Sequence, residues 1–493
     1  MARSDKIHII KYGPPPAETP QHGRADPRAV SFIGRTNYEG VLESKKFIFG
    51  IQREDRRRHI YVVGKTGVGK SKLLELLARQ DIAYGYGLCL IDPHGEFIDD
   101  ILGFIPRERI KDVVLIDPSD INFPISFNPL ANVRPELKHQ LAQGLIEVME
   151  KQFGANWTPR LEHVFRFTVL ALLDYPNATL RGMISMLTDR PYRQRVIEYI
   201  EDDMVKRFWA IEFDDWSEKF DTDAIIPLVN KLGQFLSNPL LRHIFAQKEN
   251  TIDLEAIMAS QKILLINLSK GKLGEENSSF FGSMFVTKLQ QAGMARAAMP
   301  PAERKDFYIY ADEFHNLVTA TFVNLFTESR KYGLAMTVAN QYLAQLLPAV
   351  QATVLGNVGT LVVFRVSGDD AEKLEPEMTP TFEAKDMINL GMQQFYIKMA
   401  ISGESFDPFS AETLKVLPPP HESFKNEIMA FSRQTYSKPL AEVKKSIAEE
   451  ERRMIFGNNE TKSINKEPEG TDKLGNQSGG PPTAKNDMPE PLI

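Results

Sequence analysis

Among 493 residues there is one cysteine, Cys89. A single cysteine excludes an internal disulfide and any cysteine-rich metal site. Its surroundings, Gly87-Leu88-Cys89-Leu90-Ile91, are apolar, which predicts a buried, inert thiol and fits a reducing cytoplasm. Long apolar runs are missing too. No segment approaches the roughly 18–20 uninterrupted apolar residues that span a bilayer. Residues 1–28 hold prolines and charges where a secretory signal would hold an apolar core. Nor is there an excess of positive charge, the net value being −6. That argues against a uniformly basic coat but leaves room for a basic channel, because binding responds to the local field. Nothing in the chain has the form of a major-groove reading helix or a zinc finger, so recognition of a specific base sequence is not expected. What is present is an ordinary globular composition, 42% apolar and 25% charged, in a chain long enough for two or three compact units.

The hydrophobic rhythm divides the chain. Short apolar runs at 60–63, 87–91 and 113–116 alternate with a helical pattern at 71–82, as in a parallel sheet covered on both faces. From 135 to 250 helical periodicity prevails, as in Leu161-Glu162-His163-Val164-Phe165-Arg166-Phe167. Trp157, Trp209 and Trp216 all lie there; packing between helices is the first reading for them, and base-stacking platforms the second. Strand-like runs resume at 262–268, 307–311, 334–339, 360–364 and 394–399. The expected organisation is therefore a flexible leader (1–28) and the first part of an α/β core (29–134). An all-α insertion (135–250) and the second part of the core (251–436) follow, then a charged helix (437–457). The tail (458–493) is too poor in apolar residues to fold alone.

Gly64-Lys65-Thr66-Gly67-Val68-Gly69-Lys70-Ser71 fits G-x-x-x-x-G-K-[ST] in the required context, with an apolar strand before it and an amphipathic helix after it. Glycines at 64, 67 and 69 allow a tight loop whose N–H groups converge on phosphate oxygens, and the helix N-terminus adds partial positive charge. Lys70 is expected to reach the β- and γ-phosphates of ATP, and the Ser71 hydroxyl to ligate Mg²⁺. The partner acid follows the apolar run Phe307-Tyr308-Ile309-Tyr310-Ala311: Asp312 to hold Mg²⁺ and Glu313 to polarise the attacking water. Asp92 and Glu96, in Asp92-Pro93-His94-Gly95-Glu96, stand at another strand end. They either influence metal and water or simply cap the next helix. His94 reads as structural, having no second ligand at useful spacing.

These pieces resemble the HerA/FtsK superfamily of P-loop ATPases, and within it the coupling ATPases of type IV secretion and conjugation. The stretches that carry the resemblance are 59–74, 90–97 and 308–346. The last contains Ala311-Asp312-Glu313-Phe314, Ser329-Arg330-Lys331-Tyr332-Gly333-Leu334 and Ala339-Asn340-Gln341. The resemblance implies an α/β, RecA-like core with a large, mainly parallel sheet and an inserted all-α domain. It also implies that Gln341 senses the γ-phosphate and that Arg330 is offered to the nucleotide of a neighbouring copy in a homo-oligomer, a hexameric ring. Arg365 and Arg58 are second choices for that arginine, and a solvated surface charge is the plain alternative for each. Coupling proteins carry N-terminal membrane helices. Here about thirty unpatterned residues precede the matching region, so the expectation is a cytoplasmic ATPase brought to the inner face of the membrane by a separate secretion subunit.

The leading expectation is an ATP-driven DNA translocase. Ser269-Lys270-Gly271-Lys272-Leu273-Gly274 is a candidate contact to the phosphate backbone, or an ordinary exposed loop. The alternatives are a HerA-like translocase working with a nuclease in DNA processing or defence, a protein-secretion ATPase, and a nucleotide-gated scaffold with little turnover. The joint presence of Lys70, Asp312 and Glu313 weighs against the scaffold.

Overall fold

Four consecutive apolar residues, Ile60–Val63, form a strand (β3) in which every residue is buried. A strand hidden on both faces needs a neighbour at each edge and a layer above and below. The structure, a computed structural model, supplies both; it describes residues 10–38, 46–213 and 225–456. Two strands precede β3, β1 (Val30–Thr36) and β2 (Ile48–Gln52). Those that follow are β4 (Gly87–Asp92), β5 (Val113–Ile116), β6 (Ile263–Asn267), β7 (Phe307–Ala311) and β8 (Leu334–Asn340). The last four are β9 (Thr360–Val363), β10 (Gln394–Ile401), β11 (Glu404–Ser405) and β12 (Phe409–Thr413).

The sheet order is β2-β1-β12-β10-β9-β3-β8-β7-β4-β6-β5, with β11 paired to β10. From β9 through β5 all neighbours are parallel, while β10, β12, β1 and β2 extend the sheet antiparallel. Side chains alternate across it. Ile60 and Val62 join the core formed with Leu73, Leu74 and Leu77 of the helix Lys70–Ala83, and Tyr61 meets Phe314 edge-on at 6.1 Å on the other face. Cys89 is free and buried in β4, and burial pushes its thiol up.

Between β5 and β6 the chain is helical, beginning with Lys138–Phe153 and Pro159–Asp174 and ending with Leu254–Ala259. Its tryptophans pack inward where described: Trp209 is 1% exposed and donates to the Phe167 carbonyl at 3.1 Å, and Trp157 lies against Phe153 and Phe165. Trp216 and the tail 458–493 lie outside the described residues. Met1–Ala448 form one compact unit and Glu449–Ile493 a second; the last described helix is Leu440–Phe456.

Two expectations need correction, and a charged run on which the sequence was silent is partly internal. Residues 10–28 of the supposed leader are bound to the sheet: the Lys11 carbonyl accepts from Tyr396 Oη at 2.9 Å, Gly13 N–H donates to Ser410 Oγ at 3.0 Å, and His22 N–H to the Ile48 carbonyl at 2.8 Å. In each of these bonds residues 10–28 contribute a main-chain group, which leaves no hydrophobic pattern. The charged run at 53–58 is partly internal. Arg56, 1% exposed, forks onto both carboxylate oxygens of Asp81 at 2.8 and 3.1 Å and donates to Tyr310 Oη at 2.7 Å. Arg53 also holds Asp81 and lies 4.1 Å from the Tyr86 ring centre. The phosphate-loop helix, which carries Asp81, is thereby tied to β7, which carries Tyr310. Lys270, finally, is not an outward loop lysine: it sits in a short helix, Lys270–Leu273, and its ammonium donates to Asn316 Oδ1 at 2.9 Å, while Lys272 is exposed.

Candidate nucleotide site

β3 ends inside the sheet, between β8 and β9, so the loop that follows it opens at the carboxyl ends of the parallel strands, where ligands collect in such sheets. Gly67 and Gly69 take φ of 78° and 119°, a region costly for side chains with Cβ. Gly64 is needed for closeness: an added Cβ would stand 2.5 Å from Phe364 Cβ and 3.3 Å from Phe364 Cα. The loop leads directly into the helix Lys70–Ala83, whose first N–H groups face the same space.

Lys70 is 7% exposed and curls back over the loop, donating to the carbonyls of Gly64 at 2.6 Å and Lys65 at 3.0 Å. Burial lowers its affinity for a proton, with Asp312 and Glu313 opposing that effect. From β7, Asp312 reaches across, and its Oδ2 accepts from Ser71 Oγ at 2.6 Å while Oδ1 accepts from the Glu313 N–H at 2.9 Å. Burial raises the Asp312 carboxyl above its ordinary range, against the pull of Ser71 and Lys70. A hydroxyl and a carboxylate meeting in this way form a hard-oxygen donor pair that suits Mg²⁺.

Glu313 stands beside this pair. Gln341, just past β8, donates through Nε2 to Glu313 Oε1 at 2.6 Å. His94 and His315 each place Nε2 3.9 Å from Glu313 Oε2. The cleft, about 650 Å³, is lined among others by Lys70, Ser71, Asp92, Glu96, Asp312, Glu313 and Gln341, a volume suited to a nucleotide.

The structure thus brings Lys65, Thr66, Val68 and the rest of the loop together with Asp312, Glu313 and Gln341. Asp92 reaches the cleft, but both its oxygens are engaged, accepting from His94 N–H at 2.8 Å and Ile98 N–H at 3.2 Å. Through Ile98 it satisfies one N–H in the first turn of the helix Glu96–Phe104, whose N-cap is Gly95. Arg330 is not in this cleft. It is exposed in the turn before β8, at the edge where the parallel strands begin. Seven residues of β8 separate that edge from the phosphate loop, about 20 Å of extended chain. Arg58 lies at the same far edge, its carbonyl accepting from Gly359 N–H at 2.6 Å. Arg365 is at the loop itself, its carbonyl accepting from Lys65 N–H at 2.9 Å. Gln393 also lines the cleft and was not legible in sequence, because it arrives from a turn more than three hundred residues downstream with a left-handed backbone, φ 61°.

A strand, phosphate loop and helix with an acidic strand end alongside define a P-loop NTPase. Residues 49–288 match the family model for the central domain of the helicase HerA, so within this P-loop NTPase fold the chain is similar to the HerA/FtsK type. Among solved structures, the bacterial conjugative coupling protein TrwB aligns at 14% identity over 76% of this chain and 89% of its own, with a TM-score of 0.56. TrwB in complex with ADP and Mg²⁺ aligns at 16% identity, 76% and 90% coverage, and a TM-score of 0.54. VirB4 of Thermoanaerobacter pseudethanolicus aligns at 14% identity, 78% and 96% coverage, and a TM-score of 0.53. At these identities the likeness is one of fold. A comparison with curated protein sequences gives no significant match. No helix among the described residues is long and apolar enough to cross a membrane.

Proposed function

We propose that this protein hydrolyses ATP and uses the energy to move DNA, as a conjugation or type IV secretion ATPase working in a homo-oligomeric, hexameric ring. The observation that carries the hydrolytic part is the convergence of Lys70, the Ser71–Asp312 pair and the Glu313–Gln341 pair in one cleft. In this reading the loop N–H groups of residues 64–71 hold the phosphates. Lys70 leaves the loop carbonyls and turns to the β- and γ-oxygens. Ser71 and Asp312 hold Mg²⁺, which neutralises charge on the β- and γ-phosphates. Glu313 takes the proton of the attacking water, and Gln341, bonded to Glu313, registers whether the γ-phosphate is there.

Arg330 lies too far to serve its own chain's nucleotide, which supports its assignment to a neighbour's site across a ring interface. The DNA cargo rests on the likeness to the conjugative coupling protein TrwB. Recruitment to the inner face of the membrane by a separate subunit is part of the same proposal. The divided core (29–134 and 251–436) around the helical stretch 135–250 is the corresponding domain scheme. A second reading is a HerA-like DNA-processing translocase paired with a nuclease, favoured by the family match over residues 49–288. Affinity purification from the native host separates the two: secretion components support the first, and a co-purifying nuclease the second. The cargo itself is tested by hydrolysis with and without DNA.

A further inference from the structure

Glu313 has a left-handed backbone, φ 46° and ψ 45°, an uncommon state for a residue with a side chain and one that persists only where its surroundings enforce it. What enforces it here is Asn316. Asn316 Nδ2 donates to the Glu313 carbonyl at 2.8 Å, and its main-chain N–H donates to the same oxygen at 3.1 Å. Asn316 is itself held from three separate elements. Lys270, in the short helix after β6, donates to its Oδ1 at 2.9 Å. Ser279, in the helix Glu275–Ala295, donates to its carbonyl at 3.1 Å. The third element supplies a second donor to that carbonyl, Lys151 Nζ, from the helix Lys138–Phe153 that opens the helical stretch. The Lys151 ammonium is buried, and burial with the nearby Lys270 brings its pKa down to about 7. None of Asn316, Lys151 or Lys270 lines the nucleotide cleft.

We propose that Asn316 is the positioning residue that aims Glu313, and that Lys151 is the contact through which the helices between β5 and β6 act on hydrolysis. A shift of the helix Lys138–Phe153 moves the Lys151 ammonium against the 313–316 turn. The turn then changes the direction of the Glu313 carboxylate while leaving the phosphate loop untouched. Cargo or partner binding on the helical stretch can in this way set turnover without changing nucleotide affinity. The inference rests on reading Glu313 as the group that polarises water.

The test is steady-state ATP hydrolysis by the full chain and its variants. Asn316→Asp keeps the acceptor for Lys270 and removes the donor to the Glu313 carbonyl; Asn316→Ala removes both. Each is expected to lower kcat about tenfold or more with KM for ATP within about twofold, as misdirection of a catalytic group does. Lys151→Met should show the same split more weakly, and Lys151→Gln, which keeps a donor, should recover most of the loss. Combining Asn316→Ala with Glu313→Gln should slow the enzyme no further than Glu313→Gln alone, because both act on one step. Unchanged kcat in the Asn316 variants, KM rising in step with the loss, or losses that multiply in the double variant would overturn the assignment. If Glu313→Gln alone leaves hydrolysis intact, the reading of the site fails first, and the role of Asn316 fails with it.

Discussion

Ser71 Oγ donates to Asp312 Oδ2 at 2.6 Å although 241 positions separate the two residues. The bond joins the first turn of the phosphate-loop helix to the end of β7, two strands away across β8. It holds together, across the cleft, the hydroxyl and the carboxylate that we propose as the Mg²⁺ donors.

Separate roles for Lys70 and Glu313 predict separate failures. Lys70→Ala is expected to lower turnover about 10²-fold or more and to weaken nucleotide binding, since it removes a charge facing the phosphates. Glu313→Gln should lower turnover about 10²-fold while binding ATP as the unchanged protein does. Turnover and the affinity for a fluorescent ATP analogue, measured on both variants, check the division.

Arg330 stands a strand's length from its own phosphate loop, so its effect should appear only between copies. Arg330→Ala alone is expected to lose about 10³-fold or more in turnover, as for an arginine supplied in trans. Mixed with Lys70→Ala, itself inactive, it should regain activity, because some interfaces then pair an intact loop with an intact arginine. A mixture no more active than the sum of its parts would remove Arg330 from the site and direct attention to Arg58, at the same edge.

Gly64 is defined by contact and not by backbone angle. In Gly64→Ala the new methyl meets the Phe364 side chain at 2.5 Å, forcing β9 or the loop to shift at a cost of about 1–3 kcal/mol. Chemical denaturation should show that loss, and nucleotide affinity should fall with it.

His59 predicts a pH dependence of stability. It is buried against Phe326; Met336 N–H donates to its Nδ1 at 3.1 Å and its Nε2 faces the Phe326 carbonyl at 3.1 Å, so the folded state favours the neutral ring. Burial, reinforced by Arg330, lowers its pKa from 6.5 to about 4. Above 6.5 the contribution is complete; as pH falls toward 4 the unfolded chain takes up a proton that the folded one refuses, and stability drops. The interval corresponds to about 3 kcal/mol. In His59→Gln that part of the pH dependence should be missing, read as a stability difference from the unchanged protein that shrinks between pH 7 and pH 4.

The parallel core was legible because each of its strands is a continuous apolar run, and the loop because eight consecutive residues spell it. Of the antiparallel extension only β10 was, from the run at 394–399; β1, β2 and β12 were not. β1 (VSFIGRT) holds Ser31, Gly34 and Arg35 and shifts register between Phe32 and Gly34, and β12 (FSAET) is half polar; edge-side strands like these lack the apolar continuity of the centre. The acidic pair could be found beside a known loop, yet the Gln341–Glu313 bond and the grip of Lys151 and Lys270 on Asn316 join residues far apart in sequence. Nor does the sequence tell where the charges at 53–58 go: only the fold reveals that Asp81 and two tyrosine rings receive Arg53 and Arg56.

The central claim is that hydrolysis at this cleft is harnessed to DNA. Steady-state ATP hydrolysis, measured with and without DNA at low and high salt beside Lys70→Ala, tests it most directly. The account predicts hydrolysis that requires Lys70, rises when DNA is added and loses that rise as salt screens the phosphate contacts. Hydrolysis that requires Lys70 but is indifferent to DNA at both salt concentrations would contradict it and favour a protein cargo.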